Sequence, residues 1–232
     1  MNGDTNKSST NISIEIYSDV VCPWCYVGKR RLERALGQLK HTVKAQITWR
    51  PFQLNPTMPK EGMDRTAYLE AKFGSLDVFR QMEEHVLSAG AAERISFAFE
   101  KITRTPNTFP AHRLLWYAEG KRCQDAVVDS LFRGYFEEGA DIGMPSTLVL
   151  LAERTGLNTE SVERFLQSDE GKAEVQAEES AGHRLGIRGV PYFVLNQASM
   201  ISGAQPVELF ISAIEKVRTH SPIVAEGSTG RR

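Results

Sequence analysis

Cysteine is nearly missing from this chain: Cys22, Cys25 and Cys123 are the only three in 232 residues. So few exclude a disulfide-stapled secreted framework, which needs several bridges around a small core. Neither sign of charge is in excess, since 28 Lys and Arg against 29 Asp and Glu leave a formal net charge of −1. That balance supplies no long-range field to attract nucleic acid or an anionic membrane, so neither is an expected partner. No apolar run approaches the ~20 residues of a membrane-spanning helix. There is no GxGxxG and no P-loop pattern, and hence no sign of a nucleotide cofactor. A second CxxC and an HxxxH are also lacking, so the four ligands of a structural zinc site are not at hand and no metal is expected. The first eleven residues, MNGDTNKSSTN, are polar and lack the apolar stretch of a secretory signal. They are expected to be a disordered leader, residues 221–232 a flexible tail, and the compartment the cytoplasm, where thiols rest reduced.

What is present is strand and helix patterning at both ends. In ISIEIYS (12–18) Ile12, Ile14 and Ile16 alternate with polar residues, the period of a strand. A basic amphipathic helix follows from about Pro23 to Lys40. VKAQITWRPF (43–52) alternates again, so the opening fifty residues predict β–α–β with parallel strands. The middle is helical in pattern, with Asp64 and Gly74 bounding one helix and Ser146 placed to cap another. Residues 95–103 read as extended. Strands return at 189–196 and 198–203 around a tight turn at Asn196–Gln197, and PVELFISAIEKV (206–217) is a last helix. The expectation is an α/β core assembled from residues 12–59 and 181–220, carrying an all-helical insertion over 60–180.

The chemistry concentrates in Cys22–Pro23–Trp24–Cys25, set where the first strand meets the first helix. A sulfur just beyond a helix N-terminus faces unpaired backbone N–H groups and the positive end of the macrodipole, which stabilise a thiolate. A second sulfur one turn on is close enough to attack a mixed disulfide. Cys22 is therefore the expected attacking thiol and Cys25 the resolving one. Pro23 suits the first helical position, where no N–H is needed, and Trp24 offers a flat apolar surface beside the sulfur. Far downstream, Pro191 opens a strand in Gly189–Val190–Pro191, where it cannot donate to a ladder. It is either a plain strand-entry proline or a cis proline that leaves the backbone of Val190 open to an extended substrate.

DVVCPWCYVGKRRLERAL, NTFPAHRLLWYA, YFEEGADIG and GVPYFVLNQASMISGAQP together resemble the FrnE-like branch of the DsbA family, from about Ile12 to Val217. The resemblance implies a thioredoxin-like fold with an inserted all-helical domain and dithiol–disulfide exchange as the activity. It carries over Cys22 and Cys25 as the redox pair and Pro191 as a cis proline beside them. It also implies that the region of Asn107 and His112 faces the redox site. The wider superfamily contains 2-hydroxychromene-2-carboxylate isomerases and kappa-class glutathione transferases, which use a serine where this chain has Cys22.

Each remaining candidate has a plainer alternative. Asp19 either influences the thiols or caps its loop, and Glu15 either stands behind Cys25 or lies on a solvated strand face. Thr108 reads as a helix cap, whereas Asn107 and His112 are candidate substrate contacts, His112 being either that or a helix-surface residue. Gly203 and Gln205, between a strand and a helix, suit an anion such as a glutathione carboxylate or simply form a turn. Lys29, Arg30, Arg31 and Arg34 read as a solvated helix face, and Cys123 as a bystander. The resulting expectation is a disulfide reductase or isomerase acting on protein or glutathione-linked disulfides. It carries no tightly bound cofactor, takes glutathione at most as co-substrate, and is a monomer or homodimer. The alternatives are a glutathione-dependent isomerase or transferase, and a non-enzymatic binding module.

Overall fold

The computed structural model describes residues 9–220. Residues 1–8 of the expected leader and the expected tail at 221–232 lie outside the described residues. Strand β1 runs Thr10–Ser18, so Thr10 and Asn11 belong to the sheet rather than to a leader. Thr10 N–H donates to Thr42 O at 2.9 Å, an anchor that polar composition does not reveal. Helix α1 spans Pro23–Leu39 and β2 Val43–Pro51, with β1 and β2 parallel and Ile14 opposite Ile47. Strands β5 (Tyr192–Leu195) and β6 (Ser199–Ser202) extend the sheet antiparallel, in the order β2-β1-β5-β6. Asn196 and Gln197 both have positive φ (47° and 56°), as a two-residue hairpin turn of the strand-matching hand requires.

One face of this mixed sheet carries Ile12, Ile14, Ile16, Trp49, Phe193 and Leu195, all buried against α1 and the last helix, α9 (Val207–His220). The other face buries Tyr17, Phe52 and Val194 with Ile187. Gly182 there sits so close to Tyr17 that an added Cβ would lie 2.7 Å from the ring.

Between the two halves of the sheet the chain is mainly helical. A short β3 (Met63–Asp64) pairs antiparallel with β4 (Arg104–Thr105). Helix α2 (Arg65–Phe73) starts on Asp64, whose carboxylate accepts Ala67 N–H, and stops at Gly74 with φ 78°. It is followed by α3 (Leu76–Ala92), α4 (Phe109–Gly120), α5 (Gln124–Phe136), α6 (Pro145–Glu153), α7 (Thr159–Gln167) and α8 (Lys172–Arg184). Residues 95–103 are not a strand. They form a 3-10 turn at Phe99–Lys101, because Ala98 N–H is taken by Phe136 O and the rings of Phe97 and Phe99 stack beside Phe136. Helix α6 begins two residues earlier than a Ser146 cap allows: Met144 is its cap and Pro145 takes the first position, where a missing N–H costs nothing.

Of the basic run on α1, only Arg34 is solvated. Lys29 is only 3% exposed and lies against Glu33, Asp125 (3.3 Å) and Asp129 (3.5 Å), which ties α1 to α5. Arg31 and Arg34 both reach Glu93 at the end of α3, at 3.1 and 2.8 Å.

Candidate active site

The site is built on the junction of β1 and α1. Cys22 caps the helix with extended backbone (φ −92°, ψ 111°), and Pro23 occupies the first position. The Cys22 carbonyl accepts Cys25 N–H at 3.0 Å, which closes the first turn and brings the second sulfur under the first. Both cysteines are free thiols, Cys22 5% exposed at the mouth and Cys25 wholly buried. Cys22 Sγ–H donates to Val190 O at 3.6 Å.

The Val190–Pro191 peptide bond is cis, and Pro191 O accepts Gly203 N–H at 2.8 Å. Gly28 permits this neighbourhood. A Cβ there would meet Pro191 Cγ and Phe193 Cζ at 3.1 Å, so α1 approaches the proline loop through a position without a side chain.

Burial is the main cause that pushes the Cys25 thiol well above its ordinary value. A hydrogen bond with Cys22 and the charge of that sulfur push the same way, while Ser18 and the Asp19 backbone pull back weakly. The inner sulfur therefore holds its proton at neutral pH and donates it towards the outer one. This thiol takes up its proton more tightly in the folded chain than in the unfolded one. The reduced protein should then be most stable below about pH 8.5 and lose stability as pH rises past that unfolded-state value. Urea midpoints of the reduced protein at about pH 7 and pH 9.5 would show the decline, and Cys25→Ala should flatten it. An equal decline in the variant would remove Cys25 as its source.

Beside the dithiol opens a cleft of about 330 Å³ whose floor includes Cys22, Trp24 and Val190. Its walls come from the inserted helices. Arg65, Tyr68, Leu69, Lys72 and Phe73 of α2 line it, and so do Phe79, Met82, Glu83 and Val86 of α3. These were not singled out from sequence, although their i, i+3, i+4, i+7 spacing on α2 was the signal that one helix face is apolar with two cations. Tyr135 and Phe136 of α5 complete the wall. Burial first, with the charge of Asp19 contributing, pushes the Tyr135 phenol up to about 12.

The other candidates separate. His112 is buried rather than on the helix surface, with Nε2 at 3.4 Å from Asp19 Oδ1. Asp19 makes no local side-chain cap: its Oδ2 accepts Leu54 N–H at 2.8 Å from the segment after β2, and only its backbone carbonyl serves its own loop, accepting Cys22 N–H at 3.0 Å. Asn107 binds its own surroundings: Nδ2 donates to Met58 O at 2.7 Å and Oδ1 accepts Phe109 N–H at 2.9 Å, so it does not line the cleft. Thr108 precedes α4 without a side-chain capping bond. Gly203 reaches the proline loop through its N–H, and Gln205 folds back so that Nε2 donates to Ser202 O at 2.7 Å. Glu15 pairs with Arg50 at 3.1 Å, away from Cys25, and Cys123 caps α5 at a distance from the site. No cluster of metal-ligating side chains occurs among the described residues.

A strand–CxxC–helix unit set beside a cis proline on a four-stranded mixed sheet defines a thioredoxin-fold oxidoreductase scaffold. Residues 13–215 match the DSBA-like thioredoxin domain, and the chain belongs to that family. A probable DsbA oxidoreductase from Streptomyces coelicolor is 34% identical, with 94% of this chain and 97% of that one covered and a TM-score of 0.84. The uncharacterized protein YwbO of Bacillus subtilis is 26% identical over 204 residues, covering 88% of this chain and 96% of the relative. The cytosolic disulfide reductase DsbM of Pseudomonas aeruginosa, solved with GSH, shares the fold at 16% identity and a TM-score of 0.58. The match covers 90% of this chain and 96% of that one. No helix among the described residues is long and apolar enough to cross a membrane.

Proposed function

We propose that this chain is a dithiol–disulfide oxidoreductase of the FrnE-like branch, reducing or isomerising disulfides of proteins or of glutathione conjugates in the cytoplasm. The observation that carries the reading is the unequal placement of two free thiols: Cys22 opens on the cleft, and Cys25 lies fully buried behind it. The outer sulfur attacks a substrate disulfide, forms a bond to one substrate sulfur and expels the other as a thiolate. Cys25 then attacks Cys22, the Cys22–substrate bond breaks, and two electrons have passed from the dithiol to the substrate. The Val190 carbonyl accepts the Cys22 proton in the resting thiol. Loss of that proton frees the carbonyl beside Pro191 for an extended substrate, as an added strand would use it.

Trp24 and the apolar walls of α2 and α3 hold the body of the substrate, with Arg65 and Lys72 near any carboxylate it carries. Glutathione is the proposed co-substrate, in keeping with the DsbM structure's bound GSH. Reduction of insulin by the protein, with glutathione regenerating the dithiol, tests the reading. Precipitation of insulin chains above the rate with glutathione alone supports it, and a rate equal to that background overturns it.

A further inference from the structure

From Ser180 to Val207 the chain carries no Asp or Glu, and its only Lys or Arg side chains are Arg184 and Arg188. The stretch leads directly to the dithiol, because Arg188 lies two residues before Val190, whose carbonyl meets Cys22 Sγ. Two trans peptide steps hold the Arg188 and Val190 Cα atoms at most about 7.6 Å apart. The loop is pinned at its middle: Ile187 is buried with Tyr17 and Phe52, and its N–H donates to Gly182 O at 3.2 Å. On either side of that anchor the side chains stand in solvent, Leu185 at 65% exposure and Arg188 also exposed. Helix α8 accounts for Arg184, whose charge in the last turn complements the carbonyl end of the helix. Nothing in the fold accounts for Arg188. Among the described residues its side chain makes no ion pair or hydrogen bond, and the N–H groups of Arg188, Gly189 and Val190 donate to no acceptor. A Cβ added at Gly189 would meet nothing within 4 Å, so the backbone there is open to a second chain.

We propose that the loop from Leu185 to Val190 docks a polypeptide substrate, and that Arg188 selects one with Asp or Glu two or three residues from its reactive cysteine. The inference rests on the dithiol reading above. The substrate cysteine has to lie at Cys22, beside Val190, and an extended chain advances about 3.3 Å per residue. A carboxylate two or three residues from that cysteine therefore draws level with Arg188. The N–H groups at 188–190 are free to donate to the carbonyls of such a chain, which a small anion does not offer in series. Leu185 adds an apolar contact beyond the charge. With no carboxylate on the loop to pair with it, the Arg188 guanidinium presents its full charge at the rim of the site. A rim charge acts mainly on the rate of encounter and on its salt dependence, and so discriminates between partners more than it tightens any one of them. Arg65 and Lys72, on the opposite wall of the cleft, favour the same sign of partner.

The test uses the full reduced protein and three otherwise identical single-cysteine peptides, with Glu, Gln or Lys placed two residues to either side of the cysteine. Each is presented as its mixed disulfide with pyridine-2-thiol, an uncharged group that absorbs once released. Cys22 bonds to the peptide sulfur, the peptide–pyridine S–S bond breaks, and its electron pair leaves on the pyridine sulfur, the better leaving group. Absorbance therefore follows docking at Cys22, and dividing each rate constant by that for mercaptoethanol removes the peptide's own reactivity. At about 20 mM ionic strength the Glu peptide should react about tenfold faster than the Gln peptide, and the Lys peptide slowest. At about 0.5 M salt the differences should shrink to about twofold. Arg188→Glu should reverse the order and Arg188→Lys keep it, while Arg164→Glu, the same charge change on α7, should leave it as in wild type. Leu185→Ser should slow all three peptides about threefold. Wild-type rates within about twofold of one another at low salt overturn the inference, and so does a Glu preference that survives in Arg188→Glu. Unchanged rates in Leu185→Ser also overturn it, because Arg188 would then bind a free anion rather than a polypeptide. If the wild-type protein releases no pyridine-2-thiol from any peptide, the dithiol reading itself falls, so the two failures are distinguishable.

Discussion

Cys22→Ser is expected to reduce disulfide exchange to the rate seen without protein, whereas Cys25→Ala should stall after the first step and accumulate a mixed disulfide. The difference follows from placement. Only Cys22 lines the cleft, so a substrate disulfide has one sulfur to meet. Cys25, wholly buried under the first turn of α1, reaches nothing except Cys22 and its immediate packing. Mass spectrometry of Cys25→Ala incubated with oxidised glutathione should show one glutathionyl adduct, and peptide mapping should place it on Cys22. Insulin reduction by Cys22→Ser at the wild-type rate would sink the assignment. The same pair of variants separates the glutathione-dependent isomerase or transferase reading, which asks nothing of Cys25. Under that reading Cys25→Ser retains turnover of a small electrophile. A binding module would lose no measured rate in either variant, because it would have none.

Lys29→Ala should be among the more destabilising single changes outside the apolar core, at about 3 kcal/mol. That is the low end for breaking a buried ion pair, because the three carboxylates keep partial access to water. Burial opposes the ammonium charge, but Asp125, Glu33 and Asp129 outweigh it and raise the Lys29 pKa. Burial likewise opposes the Glu33 carboxylate, and Lys29 and Arg30 overcome it and hold that group below its ordinary value. A carboxylate depressed in the folded state contributes stability above its unfolded value. The cost of the variant should therefore be full near pH 7 and shrink as pH falls below about 4.3. Urea unfolding at both pH values checks this. Lys29→Met, which keeps an unbranched stem of similar length in the packing between α1 and α5, should cost less than Lys29→Ala. An unchanged midpoint in Lys29→Ala would mean that the cluster contributes no net stability.

The core positions were readable because strand and helix periods are local. Ile12, Ile14 and Ile16 point to one side of a strand whatever surrounds it, and a β–helix–β order implies a parallel pair. Caps are equally local, as Asp64, Gly74 and the Asn196–Gln197 turn show. Reading failed where a neighbour distant in the chain decides. Residues 95–103 alternate in the manner of a strand, yet Phe136 claims the Ala98 N–H and the aromatic rings. The charges of Lys29 and Arg31 suggested water, yet carboxylates on α5 and at the end of α3 meet them. Asn107 looked available for a substrate, but the Met58 carbonyl takes it.

The sequence by itself determined where the two sulfurs lie: the spacing of Cys22 and Cys25, Pro23 at the helix start and the strand before it place them one turn apart. Backbone geometry over a few residues is enough for that. Only the tertiary structure decided how those sulfurs differ and what surrounds them. Cys25 is buried by packing, Val190 arrives from 168 residues away to accept the Cys22 thiol, and α4 brings His112 to Asp19. The physical reason is that burial and electrostatics depend on which atoms displace water around a group, and here those atoms come from α4, α5 and the loop before β5.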